Sequence, residues 1–191
     1  MAGHPPIRAL LFDFVGVLLQ CRDDYIPDRI VEAVDALVGQ VTDDRKFRLT
    51  VCRQYNLSEA AFQEVLAKIV DRYAPFQPLW EALPELHRHY KLAIVNNGTW
   101  LTFPLFDARL GISSKFDAFI SSAVEGICKP EAGIYRQACQ RLDVPPEACL
   151  FMDDMEQNVA GARRAGLRAI HWESHAEGFR LLQTVLESDT L

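Results

Sequence analysis

Residues 149–170 read CLFMDDMEQNVAGARRAGLRAI. The run opens with four apolar residues, Cys149 to Met152, and breaks abruptly on Asp153 and Asp154. A helix-length segment follows, and apolar residues return from Leu167 to Ile170. A strand buried on both faces shows a short continuous apolar run, and alternation of strand and helix means a parallel sheet. Gly161 suits close packing of the intervening helix, and Gly166 suits its C-cap. Strand-sized runs recur at Ala9 to Phe12, Leu92 to Val95 and Ala118 to Ile120, with helix-length segments alternating from Leu92 onward. The fold class is therefore α/β, a parallel sheet with helices on both faces.

The first run stands apart, because some sixty residues separate it from the helix that leads into Leu92. That gap is itself helical. Pro27 suits a first helical turn, and Ile30, Val31, Val34, Leu37 and Val38 share one face before Gly39. A second helix, about Thr42 to Tyr55, has a weaker stripe in Phe47, Val51 and Tyr55. A third begins at Ser58 as N-cap, with Leu57 and Phe62 as a hydrophobic staple and Phe62, Val65, Leu66, Ile69, Val70 and Tyr73 as its stripe. Residues 20–76 are expected to form a small helical cap that closes on the proline-punctuated APFQP segment. Residues 1–19 and 77–191 would form the core.

Composition narrows the function. The 191 residues are 49% hydrophobic and 24% charged with a net charge of -6, which supplies no basic field for nucleic acid or anionic membranes. No apolar run approaches the ~18 residues of a membrane span, and the opening MAGHPPIR lacks a signal-peptide stretch, so a cytoplasmic chain acting on a small molecule is expected. Cys21, Cys52, Cys128, Cys139 and Cys149 show no C-x-x-C pair and are expected to be reduced, core-filling thiols. His87 and His89 lack partners at zinc-ligand spacing.

Three strands end in polar residues: Phe12 gives way to Asp13, Val95 to Asn96 and Asn97, and Met152 to Asp153 and Asp154. Ligands of open α/β sheets bind beyond the carboxyl ends of the strands, where these endings would converge. Lys129 precedes Pro130, which suits the first turn of a helix and would set the ammonium beside a positive helix end. Singly, each residue reads as a turn, cap or surface residue; their joint occurrence in this strand order points to a site. Clustered carboxylates need positive charge, which Lys129 and a hard divalent cation such as Mg2+ would supply. A phosphorylated substrate follows, with Asp13 attacking phosphorus.

Four stretches carry a family resemblance: LLFDFVGVLL (10–19), IVNNGT (94–99), GICKPEAGIY (126–135) and LFMDDMEQNVAGARRAG (150–166). Together they resemble the motifs of the haloacid dehalogenase superfamily, in its phosphatase-like branch with a small helical cap. The resemblance implies a Rossmann-like core, Asp13 as nucleophile and metal ligand, and the Val15 carbonyl, Asp153 and Asp154 at Mg2+. It implies Asn96, with Asn97 and Gly98 beside it, on the substrate's phosphoryl group, and Lys129 holding Asp13 and the phosphate. The cap would set specificity, for which Arg22, Arg29, Arg45, Arg48 and Arg53 are candidates.

Two positions depart from the family pattern. Val15 stands where phosphatases usually carry a second Asp as general acid and base, and Asn96 stands where Ser or Thr is usual. The leading expectation is a Mg2+-dependent phosphatase of a small phosphorylated metabolite, slowed by Val15. A 2-haloacid dehalogenase would not need the acid, but such enzymes resemble this chain without the Asp153–Asp154 pair. A degenerate binding protein is the third reading. Oligomeric state is not legible.

Overall fold

A computed structural model describes residues 5–189; residues 1–4, part of the MAGHPPIR opening and of the expected 1–19 core segment, and residues 190–191 lie outside the described residues. Strands β1 (Ala9–Phe12), β4 (Lys91–Asn96), β5 (Ala118–Ser121), β6 (Cys149–Asp153) and β7 (Arg168–His171) form one sheet in the order β5-β4-β1-β6-β7. Every pairing in it is parallel, with Phe12 opposite both Ile94 and Met152. The chain steps from β1 to one side and then returns to the other, so the sheet's switch point lies at the carboxyl end of β1.

Alternate side chains leave opposite faces of each strand. Leu10, Phe12, Leu92, Ile94, Leu150 and Met152 join one apolar cluster, while Leu11, Ala93, Val95 and Phe151 join another beneath helices α7 (Ala132–Leu142) and α8 (Glu156–Arg164). The first face is covered by α4 (Gln77–His89), α5 (Phe103–Leu110), α9 (His175–Asp189) and the helices between β1 and α4. Among the described residues, no helix is long and apolar enough to cross a membrane. His87 and His89, late in α4, meet Asp117 and Glu85 and no zinc-ligand set.

The segment after β1 contains α1 (Arg29–Val38), α2 (Asp44–Gln54) and α3 (Glu59–Asp71). Each starts where a side-chain oxygen takes orphan amides: Asp28 accepts from Ile30 and Val31, Asp43 from Lys46, and Ser58 from Ala61. Pro27 therefore lies before the cap residue and not in the first turn. Ile30 and Leu37 are 39% and 38% exposed, so the buried face of α1 narrows to Val31 and Val34. A feature absent from the sequence reading joins this segment to the sheet domain: β2 (Leu19–Cys21) pairs antiparallel with β3 (Tyr73–Pro75), and the APFQP stretch begins within it.

These helices have no core of their own. Val31, Val34, Phe47, Val51, Phe62 and Leu66 belong to the same cluster as Phe14, Leu18 and the sheet face. Polar bonds add to this seam, with the Ser122 hydroxyl donating to the Val41 carbonyl at 2.5 Å and Thr99 donating to Asp44.

Gly178 of α9 lies against Trp172, where a Cβ would sit 2.1 Å from the buried indole ring. Gly178→Ala is expected to cost ~1–3 kcal/mol through overpacking and to lower the melting temperature by roughly 3–10 °C. Gly39→Ala, whose Cβ meets nothing within 4 Å, is the control. Equal melting of both variants would refute the packing account.

Candidate active site

Asp13 continues the sheet ladder by donating its amide to the Met152 carbonyl at 2.8 Å, which brings the end of β1 beside the end of β6. The chain then turns tightly, with Leu18 and Leu19 amides both reaching the Phe14 carbonyl and Gly16 donating to Leu19. Gly16 has φ +106, and a Cβ there would stand 2.6 Å from Asp154 Oδ2. Only glycine meets both demands, so the turn and the Asp154 carboxylate lie in contact.

Lys129 completes the centre. Its Nζ lies 2.5 Å from Asp13 Oδ1 and 2.8 Å from Asp153 Oδ2, with all three residues buried. The sequence reading placed Pro130 in the first turn of the following helix, but α7 begins at Ala132 with Glu131 as N-cap, and the Lys129–Pro130 bond is cis. Two carboxylates, and not a helix end, hold the ammonium. Its main chain is fixed by Asn97, whose Oδ1 accepts from the Lys129 amide at 2.7 Å and whose Nδ2 donates to the Lys129 carbonyl at 3.0 Å. Gly161 of α8 lets the next residue pack close, since a Cβ there would lie 2.5 Å from the Pro130 carbonyl oxygen.

The expected phosphoryl contacts divide accordingly. Asn96 lines the cavity and makes no side-chain hydrogen bond among the described residues. Gly98 leaves room for it, because a Cβ at Gly98 would stand 2.6 Å from Asn96 Nδ2. Its neighbours are engaged within the protein: Asn97 also lines the cavity but both polar atoms of its side-chain amide are on Lys129, and the Gly98 amide donates to Ser122 Oγ at 2.9 Å. These are supports for the site, held by bonds that depend on tertiary structure.

Asn158 was not singled out in the sequence, although it sits in the first turn after the aspartate pair. Its Nδ2 donates to Asp153 Oδ1 at 2.9 Å, beside the Met155 amide at 2.9 Å, and Tyr135 donates to its carbonyl at 2.8 Å. The Asn158 Oδ1 atom is buried on the cavity wall without a hydrogen-bond partner among the described residues, an acceptor left for a ligand or its water.

Burial pushes the Asp13 carboxyl up to about 7 despite the pull of Lys129, and the charges of Asp153 and Asp154 add to the rise. Burial pulls Lys129 down, but Asp13 and Asp153 outweigh it and hold the ammonium above its ordinary value. Burial and then Asp153 raise Asp154. Oxygens of Asp13, Asp153 and Asp154 lie within 4.8 Å of one another. Three carboxylates against one ammonium leave negative charge in excess, and an all-oxygen donor set suits Mg2+.

These groups open into a cavity of about 460 Å3, within the range of small-molecule sites. Val15, 37% exposed, forms part of its wall. Opposite stand Glu32, Asp35, Arg72 and Tyr73 from the helical segment. Arg72 and Tyr73 both donate to Asp35 Oδ2, at 3.0 and 2.5 Å. None of Arg22, Arg29, Arg45, Arg48 and Arg53 reaches this cavity; Arg22 pairs with Asp24 and Arg48 with Glu59. The arginine that does is Arg72, which the sequence reading missed.

A family model described as a haloacid dehalogenase-like hydrolase matches residues 7–166. The (S)-2-haloacid dehalogenase of Pseudomonas sp. (strain YL) is 32% identical over 129 residues, 66% of this chain and 55% of that protein. A phosphatase of Mycobacterium tuberculosis (strain CDC 1551 / Oshkosh) is 29% identical over 133 residues, 65% of this chain and 58% of that one. The chain thus spans little more than half the length of these curated relatives. A HAD family enzyme of Bacteroides thetaiotaomicron, solved in complex with magnesium and inorganic phosphate, superposes with a TM-score of 0.69 at 16% identity, covering 86% of this chain and 93% of that one. The L-2-haloacid dehalogenase of Xanthobacter autotrophicus, with chloropropionic acid covalently bound, gives 0.64 at 22% identity, covering 86% and 77%. These structural likenesses establish a shared fold.

The electrostatics set a pH dependence. An unfolded Asp releases its proton near about 3.9, and folded Asp13 near 7. Between these values the native state holds more protons than the unfolded one, so metal-free stability falls as pH rises through that window. Lys129→Met removes the only cation touching Asp13 and Asp153 among the described residues. It is expected to cost roughly 3–5 kcal/mol at pH 8 and clearly less at pH 5, where Asp13 is protonated. Denaturant melts with chelator at both pH values test this; a loss of equal size at each would show that the carboxylates do not repel.

Proposed function

The chain belongs to the haloacid dehalogenase-like hydrolases, and from that premise we propose that it hydrolyses small phosphate monoesters with Mg2+ as cofactor and Asp13 as nucleophile. The observation that carries this reading is the cluster of Asp13, Asp153 and Asp154 at one cavity. An acidic pair beside a nucleophilic carboxylate is costly without a cation, whereas departure of a halide needs none. The magnesium and phosphate complex of a structural neighbour supports it.

Asp13, Asp153, Asp154 and the Val15 carbonyl would hold the ion. Bound there, Mg2+ would offset the charge of the carboxylates and of a phosphoryl group. Asp13 attacks phosphorus, the ester P–O bond breaks, and an aspartyl-phosphate forms; water then cleaves it to phosphate and free Asp13. Lys129 stays beside the reacting oxygen of Asp13, and the Asn96 amide donates to the phosphoryl oxygens. Val15 offers the departing alkoxide no proton, which restricts efficient turnover to good leaving groups. The substrate would be a small metabolite of the cytoplasm, not nucleic acid or membrane.

The leaving group would meet Glu32, Asp35, Arg72 and Tyr73. Since Asp35 already pairs with Arg72, this wall carries an excess of negative charge and favours hydroxyls or an ammonium over a carboxylate. The aprotic Val15 and the likeness to the Pseudomonas enzyme favour a second reading, 2-haloacid dehalogenation, although a haloacid's carboxylate suits this wall poorly.

With a generic aryl phosphate, phosphate release should require Mg2+ and vanish with chelator, and Asp13→Asn should abolish it while still showing a cooperative melt no lower than the parent's. Asp153→Asn should weaken Mg2+ binding by calorimetry. Halide release from a short 2-halo acid in chelator, without phosphate release under any metal, would replace this reading with the dehalogenase; Mg2+ binding with neither activity would leave a ligand-binding protein.

Val15→Asp should raise turnover of alkyl phosphates more than of aryl phosphates, by on the order of 10-fold or more in their ratio. An unchanged ratio would show that protonation of the leaving oxygen does not limit the rate.

A further inference from the structure

On the other face of the sheet, away from the cavity just described, Cys139 of α7 and Cys149 at the start of β6 bring their Sγ atoms to 3.6 Å. Both thiols are free and their residues are 3% and 0% exposed. Among the described residues this is the one thiol–thiol contact. A surface hollow reaches it: Cys139, Arg136, Val144 and Pro145 line a depression between α7 and the loop that leads into β6. The hollow thus comes up to Cys139, while Cys149 is not among the residues that line it.

The two thiols differ. The hydrogen bond between them holds Cys139 below its ordinary value against the opposing effect of burial, while the same bond and burial together push Cys149 above. Cys149 also lies 3.4 Å from the Pro145 carbonyl, an acceptor that keeps its proton in place. Cys139 is the residue that borders the hollow and the more readily ionised of the two.

We propose that Cys139 and Cys149 form an oxidative modification site that takes hydrogen peroxide or a small organic hydroperoxide and closes to an intramolecular disulfide between α7 and β6. The Cys139 thiolate attacks the peroxide O–O bond and becomes a sulfenic acid; the other oxygen leaves, as water when the peroxide is H2O2, with the proton Cys139 had carried. Cys149 sulfur then attacks the sulfenic sulfur, its S–O bond breaks, and the second oxygen leaves as water with the Cys149 proton. Two thiols lose two electrons and the peroxide gains two. From 3.6 Å the sulfurs close by roughly 1.5 Å to the length of a disulfide.

The test uses the intact chain, reduced and then treated with graded hydrogen peroxide. Mapping of proteolytic fragments is expected to show Cys139 joined to Cys149, a mass lower by two hydrogens, two fewer titratable thiols at this pair, and recovery with dithiothreitol. Exposed Cys21 is the internal reference for unassisted oxidation. In Cys149→Ser, a dimedone adduct should accumulate on Cys139; the wild-type mapping needs no variant and stands if that protein fails to fold. Both thiols remaining free for alkylation after unfolding, at peroxide doses that oxidise Cys21, would overturn the proposal. So would a link from either one to a different cysteine.

Discussion

One ammonium, that of Lys129, is shared between two buried carboxylates, and the arrangement of the sheet's carboxyl edge depends on it. Asp13 and Asp153 end neighbouring strands, β1 and β6, whose ladder brings them together whether or not their charges agree. Without a cation between them, the pairing of Phe12 with Met152 would force two carboxylates into one dry space. Lys129 resolves this from a third element, and the bonds of Asn97 to its main chain make its position a property of β4 as well. The residue is therefore structural before it is chemical. The centre still retains more negative charge than one lysine balances, and this excess would favour a hard cation.

The close approaches around this centre are made by missing side chains. Gly16 admits Asp154, Gly98 admits the Asn96 amide, and Gly161 admits the Pro130 main chain next to Lys129. In each case a methyl group would push a functional residue away by contact alone. The site is as much a matter of excluded volume as of charge.

Much of this was legible in the chain. The sheet strands announced themselves because strands buried on both faces are continuously apolar, and Asp13, Asn96, Asp153 and Asp154 followed as the residues at which those runs stop. The helices after β1 were marked by their apolar stripes, with Ser58 capping the third as expected; Asp28 and Asp43, which cap the other two, were not singled out. What escaped was set by distance in sequence or by side-chain orientation. β2 and β3 are three residues each, too short for a period, and are fixed by pairing across some fifty residues. Arg72 faces the cavity because it meets Asp35, 37 positions away. Asn97 reads like Asn96 in the sequence, and only the course of the 126–131 loop assigns it to Lys129. Pro130 shows the limit of a local rule, since its ring suits a helix start but the helix begins two residues later.

The helices opposite the sheet's carboxyl edge share its hydrophobic cluster and are pinned by Ser122 to Val41 and by Thr99 to Asp44. Lifting them would expose Val34, Phe47 and Phe62 to water together with the sheet side chains beneath them. The wall of the chamber formed by these helices is therefore continuous with the hydrophobic interior of the sheet, and its shape is tied to the packing of the whole molecule.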